Sequence, residues 1–282
     1  MRTLVHLSDL HFGRIERSIV GPLTTAVAEI RPNVVAVSGD LTQRARTQEF
    51  KEARAFLDGL PSPQIIVPGN HDVPLYKILA RFLRPLWKYG HYIKDDLEPF
   101  YVDEEIAVLG VNTARSLTIK GGRVNERQVA RICERLGPLG SQVTKIIVSH
   151  HPFDVPASQS EGTLVRRAHM ARTRLATCGV DVFLAGHLHV GRAGRTAMRP
   201  DASGRSVLVV QAGTATSTRG RGEANSFNVL RIDRADTVVE RFAWHPQRRT
   251  FAVAMTTRFR RTPKGWLLIS DEDGTEIDAH ED

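Results

Sequence analysis

Ten side chains fall where runs of apolar residues end. They are Asp9 and His11 in SDLH, Asp40 in SGD, Asn70, His71 and Asp72 in PGNHD, His150 and His151 in VSHHP, and His187 and His189 in AGHLH. Carboxylate, amide and imidazole donors suit Mn, Fe, Zn, Co or Ni rather than thiol-seeking metals. Each piece alone is weak, since Gly-Asp is a common turn and a lone His usually packs or makes a local hydrogen bond. The combination is strong, because fold stability alone asks only for apolar or generic turn residues at strand ends. There are too many donors for one tetrahedral site, and a carboxylate shared by two cations accounts for the excess. Two metals about 3.5–4 Å apart stabilise the attacking and leaving oxygens of phosphoryl transfer and make hydroxide available near neutral pH. The expected reaction is in-line attack on phosphorus by a hydroxide held between the metals.

Positioning such donors takes regular elements. Residues 3–9, 33–40 and 63–72 read as buried strands running into loops, separated by helical stretches at 17–30 and 47–58. Phe50, Ala53 and Leu57 share one face of the second helix. Strand, helix, strand, helix, strand predicts a parallel sheet with a ligand site beyond the carboxyl ends of its strands. Further strands at 106–113, 145–153 and 180–189 and a helix near 125–136 continue the pattern. Beyond 190, short alternating runs such as SVLVVQAGT, SFNVLRI and TVVERFAW predict a second, more antiparallel sheet. Residues 73–101 mix apolar, aromatic and basic side chains and predict short helices interrupted at Pro85 and Gly90. Following GNHD directly, this insertion is expected to overhang the site, with Tyr76, Phe82, Trp87, Tyr89 and Tyr92 available to stack on a base or line an acyl groove.

The blocks Asp9-Leu10-His11, Gly39-Asp40, Gly69-Asn70-His71-Asp72, His150-His151 and Gly186-His187-Leu188-His189 resemble, in order, those of the calcineurin-like metallophosphoesterases. The resemblance covers about residues 1–190. Compact length, GNHD and HHP favour the class III cyclic-nucleotide phosphodiesterases. His71 argues against the lipid A-pathway pyrophosphatase branch, which usually has Arg there. The resemblance implies a four-layer α/β/β/α sandwich of two mixed sheets flanked by helices. It implies one metal on Asp9, His11, Asp40 and His189, and another on Asp40, Asn70, His150 and His187, with Asp40 bridging and His151 the alternative to His150. The cofactors are then two divalent or trivalent transition-metal ions, Mn, Fe, Zn or Co. His71 is expected to protonate the leaving oxygen or bond the phosphoryl oxygens, and Asp72 to orient His71. Asn70, His71, Arg44, Arg115 and Arg192 are the expected substrate contacts. The domain is expected to span 1–255, with the helical cap-like insertion at 73–101, followed by a C-terminal arm and an acidic, mobile tail at 256–282.

Charge bears on the substrate. The chain of 282 residues carries 39 Lys and Arg against 31 Asp and Glu, a net +8. Seven of the acids lie in its last twelve residues, leaving 24 acids against 39 cations in the body, a net +15. A basic body with an acidic tail suits anionic ligands. The favoured function is hydrolysis of a small phosphodiester, a cyclic nucleotide or a glycerophosphodiester. The alternatives are a DNA nuclease, a phosphomonoesterase, a lipid-linked phosphoester hydrolase and a non-catalytic scaffold. Nucleic acid, a membrane surface met through residues 76–94, and a second copy of the chain are the further partners considered. Two cysteines, Cys133 and Cys178, make no disulfide framework. No signal peptide or membrane span is visible, so the expectation is a cytoplasmic protein with reduced thiols.

Overall fold

The computed structural model describes residues 1–75, 78–116, 121–155, 163–195, 205–219 and 222–273. Strands β1 (Arg2–Leu7), β2 (Val34–Ser38) and β3 (Gln64–Val67) pair in parallel in that order. Successive side chains of a strand point to opposite faces, and here both faces are apolar. Leu4, Val34, Ala36, Ile65 and Val67 enter a layer between two sheets, whereas Val5, Leu7, Val35, Val37 and Ile66 face helices. Those helices are α1 (Arg17–Ile30), which buries Ile19, Leu23, Ala26 and Val27, and α2 (Thr47–Asp58). The Glu49 carboxylate caps α2 by accepting from the backbone N–H groups of Arg44 (2.8 Å) and Arg46 (3.1 Å).

The second sheet holds β4 (Phe100–Val102), β5 (Ile106–Val111), β6 (Thr144–Ser149), β7 (Val182–Ala185), β8 (Arg192–Arg195) and β9 (Leu208–Gln211). Its order is β4-β5-β6-β7-β9-β8, parallel inside and antiparallel at both edges. Ile106, Val108, Ile146, Val148, Val182 and Leu184 complete the layer between the sheets. Ala107, Leu109, Ile147 and Phe183 face α5 (Glu126–Leu136) and α6 (Ala168–Thr177). Helix, sheet, sheet and helix make the expected four layers.

The strands beyond 190 do not form a sheet of their own. β8 and β9 join the second sheet. β10 (Ser226–Ile232), β11 (Asp236–His245), β12 (Thr250–Thr262) and β13 (Gly265–Asp273) extend the first, because β10 pairs antiparallel with β1. Residue 256, where the arm was expected to begin, lies inside β12. The residues of the acidic tail beyond 273 lie outside the described ones.

In the insertion, α3 (Ile78–Leu83) and α4 (Trp87–Tyr92) flank Pro85, but Gly90 sits inside α4 rather than ending it. Tyr89 from α4 is fully buried and donates to the Ile66 carbonyl at 3.0 Å. Tyr92 stacks on Phe50, with ring centroids 6.1 Å apart. Both are therefore core residues and do not line a substrate groove. Phe82, Leu83 and Trp87 are exposed, and Tyr76 lies outside the described residues. The expectation of reduced thiols is also corrected. α5 and α6 lie on the same face of the second sheet, and Cys133 and Cys178 are joined as a disulfide across them, with Cα atoms 5.3 Å apart. No helix among the described residues is long and apolar enough to cross a membrane.

Candidate metal centre

The donor loops leave the carboxyl ends of β1, β2, β3, β6 and β7, where apolar pairing stops and the backbone turns. Asp9, His11, Asp40, His187 and His189 all have positive φ, between 51° and 72°. Left-handed non-glycine residues cost free energy and cluster at functional sites. Glycines hold the loops close. A Cβ on Gly69 would collide with the Asp40 carboxylate, and one on Gly186 with Ser8 and Asp9.

The side chains converge as two sets. In the first, Asp9 Oδ1 lies 3.5 Å from His11 Nε2 and 3.4 Å from His189 Nε2. In the second, His150 Nε2 lies 3.1 Å from Asn70 Oδ1 and 3.3 Å from His187 Nδ1. Asp40 Oδ2 stands between the sets, 3.7 Å from His11 Nε2 and 3.3 Å from His150 Nε2. The other oxygens are spoken for. Asp40 Oδ1 accepts from the His71 N–H (2.8 Å), and Asp9 Oδ2 from the His187 N–H (2.9 Å) and the Ser8 hydroxyl (2.7 Å).

These donors fit a pair of transition-metal ions. Asp9 Oδ1, His11 Nδ1 and His11 Nε2 are buried with no hydrogen-bond partner, an arrangement that stability alone disfavours. His150 donates its Nδ1–H to the Ser38 carbonyl at 2.8 Å, which leaves Nε2 as the ligating atom. The electrostatics demand positive charge. Burial opposes ionisation of His150, but Asp40 and Asp9 outweigh it and push its pKa up to about 9. Burial likewise opposes the Asp9 and Asp40 carboxylates, yet the surrounding imidazoles hold both below the usual range. Burial, with His150 adding to it, brings His187 down to about 4, so it offers a bare lone pair at neutral pH. A cation that displaces protons satisfies the same field.

His151 offers a ring nitrogen within 4.8 Å of those of His150 and His187. Its Nδ1 bonds the Thr113 hydroxyl at 2.9 Å, while its ring centroid lies 4.6 Å from that of His187, so it borders the second set. Asp72 does not orient His71. Its carboxylate accepts from the N–H groups of Leu41 (3.1 Å), Thr42 (2.9 Å) and Gly69 (2.9 Å) and from the Thr42 hydroxyl (2.9 Å), clasping the loops after β2 and β3. Burial, together with Asp40, raises its pKa to about 6. His71 is oriented by the Gln43 carbonyl, which accepts its Nδ1–H at 2.8 Å. Burial lowers its pKa, and its Nε2 faces the Arg219 guanidinium at 3.1 Å. Sequence reasoning missed both partners. Gln43 carries no motif, and Arg219 comes from a loop before β10, 148 residues away.

The expected arginine contacts are scattered. Arg115 is committed to Gln128 Oε1 (2.6 Å) and the Arg123 carbonyl (3.3 Å). Arg44 is exposed in the loop after β2, and Arg192 is exposed at the start of β8, three residues beyond His189. The deepest donors, Asp9, His11, Asp40 and His150, are at most 1% exposed, whereas His71, His187 and Arg219 are half-buried and mark the mouth.

Known proteins agree with this architecture. In structure the chain is similar to a dimetal phosphatase from Danio rerio, with a TM-score of 0.62, 16% identity and coverage of 85% of this chain and 95% of that one. It is also similar to purple acid phosphatase PPD1 from yellow lupin, with a TM-score of 0.63, 12% identity and coverage of 86% and 51%. In sequence it is 25% identical over 177 residues to the glycerophosphodiester phosphodiesterase GpdQ of Enterobacter lignolyticus (strain SCF1). That match spans 59% of this chain and 63% of the relative, less than two thirds of its length. The family model for calcineurin-like phosphoesterases matches residues 2–191, the stretch that carries every donor block. The chain therefore belongs to the calcineurin-like phosphoesterases.

Proposed function

We propose that the protein is a dinuclear-metal-dependent phosphodiesterase acting on a small diester such as a cyclic nucleotide or a glycerophosphodiester. The observation that carries this reading is Asp40 Oδ2, set between the imidazoles of His11 and His150. The glycerophosphodiester phosphodiesterase activity for which the GpdQ relative is named supports a diester over a monoester. Asp9, His11, Asp40 and His189 would hold one ion, and Asp40, Asn70, His150 and His187 the other. Bound there, the pair supplies an activated water and neutralises charge on the phosphoryl oxygens.

The remaining steps belong to the chain. His71 and Arg219 stand at the mouth, where the diester enters. The Gln43 carbonyl fixes the His71 ring so that Nε2 points outward, and Arg219 offers its remaining N–H groups to non-bridging oxygens. As those oxygens draw the guanidinium away, the freed His71 Nε2 lone pair takes up a proton from solvent, and the imidazolium so formed passes that proton to the leaving oxygen. Asp72 keeps the two loops in register.

The test is a panel with Mn: bis-p-nitrophenyl phosphate, p-nitrophenyl phosphate, 3′,5′- and 2′,3′-cyclic nucleotides and single-stranded DNA. Diester hydrolysis exceeding monoester hydrolysis is expected. Preference for the monoester, or cleavage of DNA alone, contradicts the reading.

A further inference from the structure

Between β9 and β10, residues 212–219 form a strap laid against the loop after β1. The Ala215 N–H donates to the Ser8 carbonyl (3.0 Å) and the Thr216 hydroxyl to the Leu10 carbonyl (2.6 Å). In return, the Glu16 N–H donates to the Thr216 carbonyl (2.8 Å), and the Thr218 N–H to the Arg14 carbonyl (3.2 Å). Two side chains of the strap reach the site. The Thr214 hydroxyl, buried, lies 2.9 Å from His189 Nδ1, and Arg219, half-buried, lies 3.1 Å from His71 Nε2. One strap thus serves a metal-binding imidazole at one end and the guanidinium at the mouth at the other.

Asn225, just before β10, spans both ends. Its Nδ2 donates to the Thr214 carbonyl (3.2 Å) and to the Ser217 carbonyl (2.9 Å). Carbonyl oxygens only accept, so the NH2 group has to face them. The backbone of Asn225 is itself anchored, its carbonyl accepting the Trp244 N–H of β11 at 2.8 Å. The two ends are not held equally. The Thr214 carbonyl also accepts the Ser226 N–H at 3.0 Å, whereas the Ser217 carbonyl is held through the Asn225 amide. Ser217 in turn accepts the Arg219 N–H on its hydroxyl at 3.1 Å. Loss of the Asn225 amide therefore loosens the Arg219 end and leaves the His189 end tied. An arginine side chain is long and rich in rotamers, so its fork meets phosphoryl oxygens well only where the backbone beneath it is fixed.

We propose that Asn225 is a positioning residue for Arg219, its amide fixing the 217–219 turn so that the guanidinium stands beside His71 and meets the non-bridging oxygens of the diester. The proposal deepens the reading of the metal centre as a phosphodiesterase site and rests on it.

The test is a double-mutant cycle on Mn-reconstituted protein with bis-p-nitrophenyl phosphate, with metal content measured on the same samples. Asn225→Ala is expected to lower kcat/KM about tenfold while both ions are retained. Added to Arg219→Ala, it is expected to cost less than about twofold more, because the group it positions is already gone. Inorganic phosphate, titrated calorimetrically into the same samples, is expected to bind Asn225→Ala as weakly as Arg219→Ala. Thr214→Val, on the same strap, is expected to act on metal instead, lowering its affinity about tenfold. Asn225→Gln, with its NH2 group one methylene further out, is expected to keep part of the activity and carries the cycle if Asn225→Ala does not fold. Losses from Asn225→Ala and Arg219→Ala that multiply, loss of metal from Asn225→Ala, or wild-type kinetics and phosphate affinity in Asn225→Ala overturn the proposal while wild-type diester hydrolysis stands. Absence of diester hydrolysis by the metal-loaded wild type overturns the reading of the metal centre, and the proposal with it.

Discussion

Asp40 divides its two oxygens between a backbone amide and the gap between two imidazoles, so charge and position are separable by substitution. Asp40→Ala is expected to lose metal and turnover together. His71→Ala is expected to keep both ions while turnover falls on the order of 10²–10⁴-fold, the scale of a positioned proton donor. Metal analysis beside kinetics separates the two, and loss of metal from His71→Ala would make His71 a ligand. Arg219→Ala is expected to lower kcat/KM by about 10–100-fold with metal content unchanged, and Arg219→Lys to recover part of it, because a point charge replaces a fork. Unchanged kinetics in Arg219→Ala would remove it from the site. The donor residues were legible in sequence because their chemistry dictates their types and each follows an apolar run. Arg219 and Gln43 were not, because one is a surface-type residue recruited from a distant loop and the other acts through its carbonyl. Asp72 was legible as a site residue, but its partners turned out to be backbone amides of the neighbouring loop.

Strand ends and the loops between them set the precision of the site. The Asp72 carboxylate satisfies buried amides at Leu41, Thr42 and Gly69. Asp72→Ala leaves them unpaired, and a loss of about 3 kcal/mol in denaturant stability with weaker metal affinity is expected. Stability unchanged within error would contradict the clasp. A second carboxylate gives a pH signature. Burial opposes the Asp103 charge, but the N–H groups of Ile106 and Glu105, the Tyr101 hydroxyl and Arg2 overcome it and bring its pKa down to about 2. A depressed carboxylate stabilises the fold above its unfolded value near 4, and that stabilisation is lost as pH falls towards 2. After solvent screening, wild type is expected to lose about 1–2 kcal/mol more than Asp103→Asn between pH 5 and 2. Urea titrations at the two pH values measure the difference, and parallel losses would contradict it. The helices at 17–30 and 47–58 and the parallel strands could be read because each buries a contiguous pattern against local partners. The placement of β10 could not, because a strand's pairing with β1 more than 200 residues away leaves no local trace.

Across the whole molecule, two sheets are packed face to face so that loops from β1, β2 and β3 meet those from β6 and β7 at one edge. The alternation of strands and helices implies a parallel sheet faced by helices, whereas the four-layer order is what the family resemblance implies. The disulfide across α5 and α6 did not, since its two cysteines stand 45 residues apart and only the packing of those helices joins them. The basic body of the chain is divided in space. Arg219 faces the metal centre, and Lys145, Arg205, Arg234 and Arg261 face the opposite end of the strands. The account stands or falls on cations shared across the sheets. Elemental analysis of the reconstituted protein and of Asp40→Ala, with bis-p-nitrophenyl phosphate hydrolysis measured on the same samples, tests this most directly. Two ions per chain with activity in the first, and at most one without activity in the second, is the predicted result. Full activity in a metal-replete Asp40→Ala protein, or no bound ion in the reconstituted wild type, would contradict it.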